Sequence, residues 1–505
     1  MSSTKEAYRQ IFDEYSPDEL YKLARIKRFM ERLISDPKFR QMLTDNMQNP
    51  RVVTEYYGID IDPTQMLPLF STEYLKYRET DEEAQWPLSK MWTGYMHKML
   101  AHRDKLRDHG STDIVNPSFH AWRQRQITRG MSELGVSGPN ITHPIVAYEL
   151  SDGCSVGCWF CGISAEKFEG YQPYTPEVAV LWRGILQEMV DRFGDAAQTG
   201  FCYWATDPMD NPDYDKFIED HYHVTGFLPQ TTSAAPLKNV ALTRRVMALF
   251  DKYRCVTNRF SILNLKLFEK VHAEFTPDEL MGVELVSQNR EALMSKANAG
   301  RARERREKLR AAGKDDKIAE RDDDHATIAC VSGFLINLPS RTVRMVSPTR
   351  GGERWSLGYR VYDERRFETI EDFRAILDEM HERHCTNELQ PGDRLAFRPD
   401  LKYTQFDDGF EVRNNTRIHT VRGLPYGAHL GRLVNEGDMP VGQIQAELIA
   451  DGANVFMVCE TLQHLFDVGL FDDDPKYGGI GPRPVLLETE IIDSAAVAAN
   501  ELGRA

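Results

Sequence analysis

No run of ~18 uninterrupted apolar residues occurs in this chain, so the sequence offers no segment for crossing a bilayer as a helix. The opening MSSTKEAYRQ leads into charged, amphipathic sequence rather than an apolar signal core, and the expectation is a cytoplasmic protein with no membrane partner. Cysteine is sparse, eight in 505 residues, and is not spaced as the dense framework of a small secreted domain, so a reducing compartment fits. An excess of basic charge is lacking as well. A net charge of −15 argues against a general nucleic-acid binder, which presents basic surface to phosphates. A small molecule or a peptide is the expected substrate.

What is present is apolar material for a large core, 41% of residues, and a length that at the usual ~100–200 residues per domain predicts two to four domains. From Ser16 onward Leu20, Leu23, Ile26, Phe29, Met30, Leu33 and Phe39 recur at three- and four-residue steps, the pattern of helices packed on one face. Ser16-Pro17-Asp18-Glu19 reads as a helix start, and residues 1–135 as a helical domain. After Asn140 short apolar runs alternate with helical stretches, as in β/α units forming a parallel sheet. The expected strands are Ile145 to Leu150, Gly200 to Trp204, the stretch before Thr231, Arg259 to Leu263 and Gly282 to Val286. Residues 136–350 are therefore expected to form a partial or full β/α barrel.

Within that barrel, 298–324 mixes charges of both signs and reads as a solvated, salt-bridged helix or insertion, with contact between Arg301 to Arg310 and an acidic partner as the competing reading. Thr327 to Leu338 and Arg341 to Val346 read as a hairpin across Pro339-Ser340. A helical connector is expected over 351–393. From 394 to 475, Leu401 to Phe406 and Gly409 to Val421 read as a three-stranded sheet turned at Asp408-Gly409 and Asn414-Asn415. Helices Tyr426 to Asn435, Val441 to Ile449 and Val455 to Val468 follow, an order that suggests a winged-helix-like module. The tail 476–505 carries little information.

The chemistry is concentrated in SDGCSVGCWFCG, where Cys154, Cys158 and Cys161 share one short loop straight after a predicted strand. Gly153, Gly157 and Gly162 let the backbone wrap a ligand. Three thiolates on a four-iron cluster leave one iron without a protein ligand. The competing readings are buried thiols or a zinc site, but a zinc knuckle wants a fourth Cys or His nearby in paired spacing, and none is close.

The spacing, Phe160 before the last Cys, and the position after the first barrel strand resemble the radical S-adenosylmethionine (SAM) superfamily. That resemblance implies a (β/α)6-type partial TIM barrel holding a [4Fe-4S] cluster on Cys154, Cys158 and Cys161, with SAM beside Phe160. Ala205-Thr206-Asp207-Pro208 resembles the superfamily's Gly-Gly-Glu-Pro motif, which holds the cofactor's ammonium; a turn is the competing reading. In a β/α barrel the carboxyl ends of strands carry the chemistry, and Ser233, Ser261, Asn264 and Gln288 stand at such ends as further cofactor contacts.

Beyond the superfamily, the chain resembles the radical SAM epimerases that mature ribosomal peptides, of the polytheonamide epimerase type. The likeness rests on Ser16-Pro17-Asp18-Glu19-Leu20, Ala24-Arg25-Ile26-Lys27-Arg28-Phe29, Tyr57-Gly58-Ile59-Asp60, the cysteine loop, Thr206-Asp207-Pro208, Lys296-Ala297-Asn298-Ala299-Gly300-Arg301 and Cys330-Val331-Ser332-Gly333-Phe334. It implies abstraction of a Cα hydrogen by a 5′-deoxyadenosyl radical and return of a hydrogen atom from a Cys thiol on the opposite face. Cys330 is the preferred donor and Cys385 the second candidate, whereas Cys202, Cys255 and Cys459 read as structural. Thr349 stands where auxiliary-cluster hairpins would place a Cys, and Thr cannot donate that hydrogen. A carbon-carbon or thioether crosslink is thus an alternative outcome, and a non-enzymatic zinc-containing regulator a remote one.

The terminal module resembles the recognition element of ribosomal-peptide enzymes, which takes a leader peptide as an added strand. The expected partners are a precursor peptide and an external electron donor such as flavodoxin or ferredoxin. Nucleic acid is not expected, because Val455 to Val468 carries Glu460 and Asp467 and no Lys or Arg.

Overall fold

The computed structural model describes residues 8–256, 258–293, 297–314, 326–414 and 416–475. Lys296, Asn415, the end of the charged insertion and the tail after 475 lie outside the described residues. The chain divides into two compact units, one of residues 1–115 and 130–360 and one of residues 116–129 and 361–505.

The first unit opens with α1 (Pro17–Ser35), α2 (Pro37–Asp45) and α3 (Pro87–His109). Ser16 and Glu19 close a reciprocal capping box at the start of α1, with Pro17 in the first turn, which satisfies donors that a helix end leaves orphaned. Leu23, Ile26, Phe29 and Phe39 are fully sealed from solvent in one core. The parallel part comprises β1 (Val146–Glu149), α4 (Pro176–Phe193), α5 (Tyr214–Thr225), β2 (Thr231–Ser233), α6 (Val240–Tyr253), β3 (Asn258–Ile262), α7 (Leu265–Glu274) and β4 (Val283–Ser287). Then come α8 (Gly300–Ala311), β5 (Gly333–Asn337), β6 (Thr342–Pro348) and β7 (Tyr359–Arg366), the strand along which the chain leaves this unit.

β2, β3 and β4 pair in parallel in that order. A second sheet runs β1-β5-β6-β7, with β1 and β5 parallel and β5 and β6 antiparallel. Single parallel bridges from Ala147 to Phe201 and from Phe201 to Gln230 link the two. The result is a mixed α/β unit of partial sheets that does not close into a barrel among the described residues. The expected second strand, Gly200 to Trp204, shrinks to Phe201 alone, and Ala205 just beyond it gives its N–H to the Glu149 side chain. The expected strand at Thr327 begins only at Gly333.

Alternation along β3 and β4 sets the two faces. Phe260, Ile262, Val283 and Leu285 pack with Phe268 and Val271 of α7, which leaves Arg259, Ser261, Glu284 and Val286 on the other face. The N-terminal helices hold the edge of this sheet. Arg28 donates to the carbonyls of His272 (3.1 Å) and Phe275 (2.9 Å), Arg32 pairs with Glu269 through two bonds, and the hydroxyls of Ser35 and Ser287 lie 2.5 Å apart.

In the second unit, α9 (Ile370–His384) starts on a capping box of Thr369 and Asp372. β8 (Lys402–Phe406), β9 (Gly409–Arg413) and β10 (Ile418–Arg422) form an antiparallel meander with β9 in the centre. Asn414 makes the second turn by accepting from the backbones of Thr416 and Arg417. α10 (Gly427–Glu436), α11 (Val441–Ala450) and α12 (Val455–Asp467) cover one face of the sheet, burying Phe410 and Val412 with Leu430, Ile444, Leu448 and Leu462. No described helix of the chain is long and apolar enough to cross a membrane.

Candidate functional site

β1 delivers the chain to the cysteine loop. At its end Glu149 is buried, and its carboxylate accepts from Ala205 N and from Asn337 Nδ2, both at 3.0 Å; burial raises its pKa. Ser151 and Asp152 then pair with Gly170 and Tyr171, so the residues between are tied off as one loop. Cys154 N donates to Glu166 O at 2.9 Å. Gly153, at φ +70°, lies so close that a Cβ there would meet Lys167 O at 2.3 Å. Only glycine fits.

Side chains remote in sequence fasten this loop. Asp210 accepts from Ser155 N (2.9 Å) and Ser155 Oγ (2.5 Å), and Lys238 pairs with Asp210 while also donating to Ser155 Oγ at 3.1 Å. Arg301 donates to Cys158 O at 3.3 Å and to Ala165 O. Ala165 N donates to Cys161 Sγ at 3.3 Å. All three thiols are half-buried and unbridged. Burial pushes Cys154 up to about 11 and Cys158 up to about 12, and the carboxylate of Asp207 adds to both shifts.

Among the described residues no three His, Cys, Asp or Glu side chains converge on a point that would ligate a single metal ion. A four-iron cubane makes a different demand, since each thiolate takes its own iron and the three must stand around it. The loop suits that demand. It carries left-handed glycines at 153 and 157, an N–H directed at a cysteine sulfur, and at Ser164 a buried hydroxyl with no partner among the described residues.

The other residues singled out in the sequence fall into three groups. Asp207, buried, accepts from Ser233 Oγ (2.8 Å), Ala234 N (2.7 Å) and Met209 N (2.9 Å). It thus ties the turn Ala205-Thr206-Asp207 to the end of β2, and burial lifts its carboxyl to about 6. Phe160 is half-buried against Trp159, ring centroids 5.3 Å apart. Ser261 and Gln288 are half-buried at β3 and just past β4, but the Asn264 side chain is occupied in capping α7, accepting from Leu267 N at 2.8 Å.

Cys330 stands beside the open face of the parallel sheet. Ile328, two residues earlier, packs so tightly on Gly162 that a Cβ there would meet its Cγ1 at 2.9 Å. Two residues of chain reach at most ~7 Å, which keeps Cys330 near the cysteine loop. Arg259 and Tyr203 are its electrostatic neighbours. Tyr203 accepts from Gln230 Nε2 (2.7 Å) and Thr232 Oγ1 (2.8 Å), and Arg259 pairs through Nε with Glu284 at 2.8 Å. Burial raises the Cys330 thiol to about 12. Cys385 is buried at the end of α9 in the second unit. Cys202 and Cys255 are buried and Cys459 is exposed. Thr349 donates to Glu133 Oε2 at 3.0 Å, the carboxylate that Arg360 also holds.

Sequence reasoning missed Asp210, Lys238, Tyr203 and Arg259, and gave Arg301 no part in holding the loop. Arg301 closes a motif the resemblance had marked without a role, and Asp210 lies three residues past Asp207. The others had no local signal, because each acts across a distance that only the folded sheet creates.

Fold and site together define a mixed α/β protein with a three-cysteine loop at the end of its first parallel strand. The chain belongs to the y4wI family. It is 48% identical over 470 residues to the uncharacterized protein y4wI of Sinorhizobium fredii (strain NBRC 101917 / NGR234), covering 93% of this chain and 91% of that protein. Residues 395–469 match the y4wI C-terminal domain. The crystal structure of BtrN in complex with AdoMet and 2-DOIA aligns with 40% of this chain and 72% of its own at 13% identity, with a TM-score of 0.26. That likeness is too slight to bear on fold or function.

Proposed function

We propose that this protein is a radical SAM enzyme that modifies a ribosomally synthesised precursor peptide by L-to-D epimerisation. The observation that carries the reading is the cysteine loop, three thiols spaced for a cubane and fastened by Asp210, Lys238 and Arg301. When bound, the [4Fe-4S] cluster and SAM would supply a 5′-deoxyadenosyl radical by one-electron reductive cleavage. Cys154, Cys158 and Cys161 hold the cluster. Phe160, Ala205, Thr206, Ser233, Ser261 and Gln288 would contact SAM, with Asp207 fixing the turn Ala205-Thr206-Asp207.

Cys330 returns the hydrogen atom. Its raised pKa supports this role, because a hydrogen-atom donor must keep its S–H proton at neutral pH, and burial does so here. Arg259 and Tyr203 lie beside it with donors suited to a peptide carbonyl, which would set the Cα over the thiol. In the second unit β8 and β10 are the sheet edges, with Ile418 62% exposed and Phe456 of α12 77% exposed. A leader peptide would add as a strand to such an edge.

Co-expression with the precursor in heavy water tests the reading. Each inverted residue gains one deuterium and scores as D on chiral analysis, whereas Cys330→Ala yields deoxyadenosine without D-residues. An anaerobically reconstituted protein with neither iron nor SAM cleavage overturns the whole reading. A product lighter by two hydrogens replaces epimerisation with a crosslink, the second reading, which Thr rather than Cys at position 349 motivates.

A further inference from the structure

A chain that is acidic overall places one strongly basic helix against the cysteine loop. α8 carries six cations, Arg301, Arg303, Arg305, Arg306, Lys308 and Arg310, against Glu304 and Glu307, where the whole protein has a net charge of −15. Arg301, its second residue, donates to Cys158 O. One turn further on, the Arg305 guanidinium lies 4.8 Å from the ring centroid of Trp159, and that of Arg290 lies 5.6 Å from the same ring. Trp159 itself sits between two of the three cysteines.

The two arginines form an arrangement that lacks an anion. Arg290 is exposed and Arg305 half-buried, and neither has a hydrogen-bonded or ion-paired acid among the described residues. Burial, and after it the like charge of Arg290, lowers the Arg305 pKa. Stacking on the indole offsets part of that repulsion, and an anionic partner would offset the rest. The exposed Lys308 extends the same positive face.

We propose that Trp159, Arg290, Arg305 and the exposed basic residues of α8 form the docking surface for an acidic one-electron carrier protein. This rests on the proposed function, which requires an electron from outside. The carrier is oxidised by one electron and the cluster on Cys154, Cys158 and Cys161 is reduced by one; no bond in either protein forms or breaks. Charge complementarity would steer the encounter, and Trp159, half-buried between Cys158 and Cys161, would bring the carrier next to one cluster ligand and two residues from another.

Binding of a recombinant bacterial flavodoxin to the full-length protein, measured by biolayer interferometry, tests the surface. Arg290→Glu/Arg305→Glu is expected to weaken binding ~10-fold at low salt, with the difference vanishing at about 0.5 M salt, where exposed charges are screened. SAM cleavage driven by dithionite, which needs no docking, stays at the wild-type rate, and cleavage driven by reduced flavodoxin falls. Because Arg305 packs on the loop, iron and sulfide are quantified in each variant. The exposed single changes Arg290→Glu and Lys308→Glu, each expected to weaken binding ~3-fold, decide the matter if the double variant loses its cluster. Affinity and salt dependence unchanged in all of them overturn the surface. A wild-type protein that takes up no iron overturns the proposed function but leaves the flavodoxin measurement readable, so the two failures are distinct.

Discussion

Asp210, its side chain wholly sealed from solvent, grips Ser155 by both backbone N–H and hydroxyl, and Ser155 is the neighbour of the first loop cysteine. The contact spans 55 residues and fixes the direction in which Cys154 leaves β1. Asp210→Ala strands the Ser155 donors and leaves Lys238 without its acid. Removing one partner of such a charged network costs ~3 kcal/mol, and the loss falls on the loop rather than on the core. The expected result is a folded protein that takes up several-fold less iron on anaerobic reconstitution, read by iron and sulfide content. Wild-type iron content would show that the loop orders itself without this tether.

Two glycines of the loop have the same backbone conformation and opposite surroundings. Gly153 (φ +70°) has Lys167 O at 2.3 Å from where a Cβ would be, whereas around Gly157 (φ +62°) nothing lies within 4 Å. Gly157→Ala should therefore cost only the left-handed penalty of ~1–2 kcal/mol, and the protein should still accept iron. Gly153→Ala must also push the 166–167 backbone away, and should abolish cluster uptake. The comparison is made on matched reconstitutions by absorbance and iron content. Equal behaviour of the two variants would mean that the approach to Lys167 does not shape the loop.

These two cases show why the loop was legible in the sequence and its supports were not. Cysteine spacing and glycine are local signals, and so were the capping box at Ser16, the turn at Asn414 and the alternation in β3 and β4. The segment Gly200 to Trp204 misled because its apolar pattern fits a strand, while only Phe201 of it bridges to neighbouring strands. Thr327 to Ser332 misled likewise, because an apolar run that threads past Gly162 looks the same as one in a ladder. Ser261 and Asn264 both stood at a strand end as candidate contacts; only the structure reveals that Asn264 caps α7. The family's C-terminal domain was visible as a sheet followed by three helices, since each of its elements is short and locally coded.

His221 makes the first unit sensitive to acid. Its ring is buried and donates from Nδ1 to Phe227 O at 2.8 Å, and burial depresses its pKa from 6.5 to about 4. The folded state therefore disfavours the charged ring. Above pH ~6.5 both states carry it neutral and the full stability is present; as pH falls toward 4 the unfolded chain takes up the proton first, and stability is lost. At pH 5 the loss from this group is roughly 2 kcal/mol. His221→Asn keeps a donor near the Nδ1 position without a titrating group. Urea unfolding at pH 7 and pH 5 should therefore show a smaller drop for the variant than for wild type, and identical drops would remove His221 from the account.

Thr349 occupies the hairpin end as a hydrogen-bond donor to a carboxylate, not as a reactant. Its Oγ1 reaches Glu133 Oε2 at 3.0 Å, and Arg360 holds the same carboxylate at 2.6 and 2.7 Å. Thr349→Val removes one bond to an acid that keeps its stronger partner, so the cost should be about 1.5 kcal/mol, at the low end for a bond to a charged group. Turnover should continue with the same product. Cys330→Ala, by contrast, should leave stability nearly unchanged and eliminate D-residues. Measuring melting temperature and chiral product composition on both variants separates the roles: Thr349→Val stopping product formation without loss of stability would make position 349 act on the substrate, and D-residues formed by Cys330→Ala would remove Cys330 as the donor.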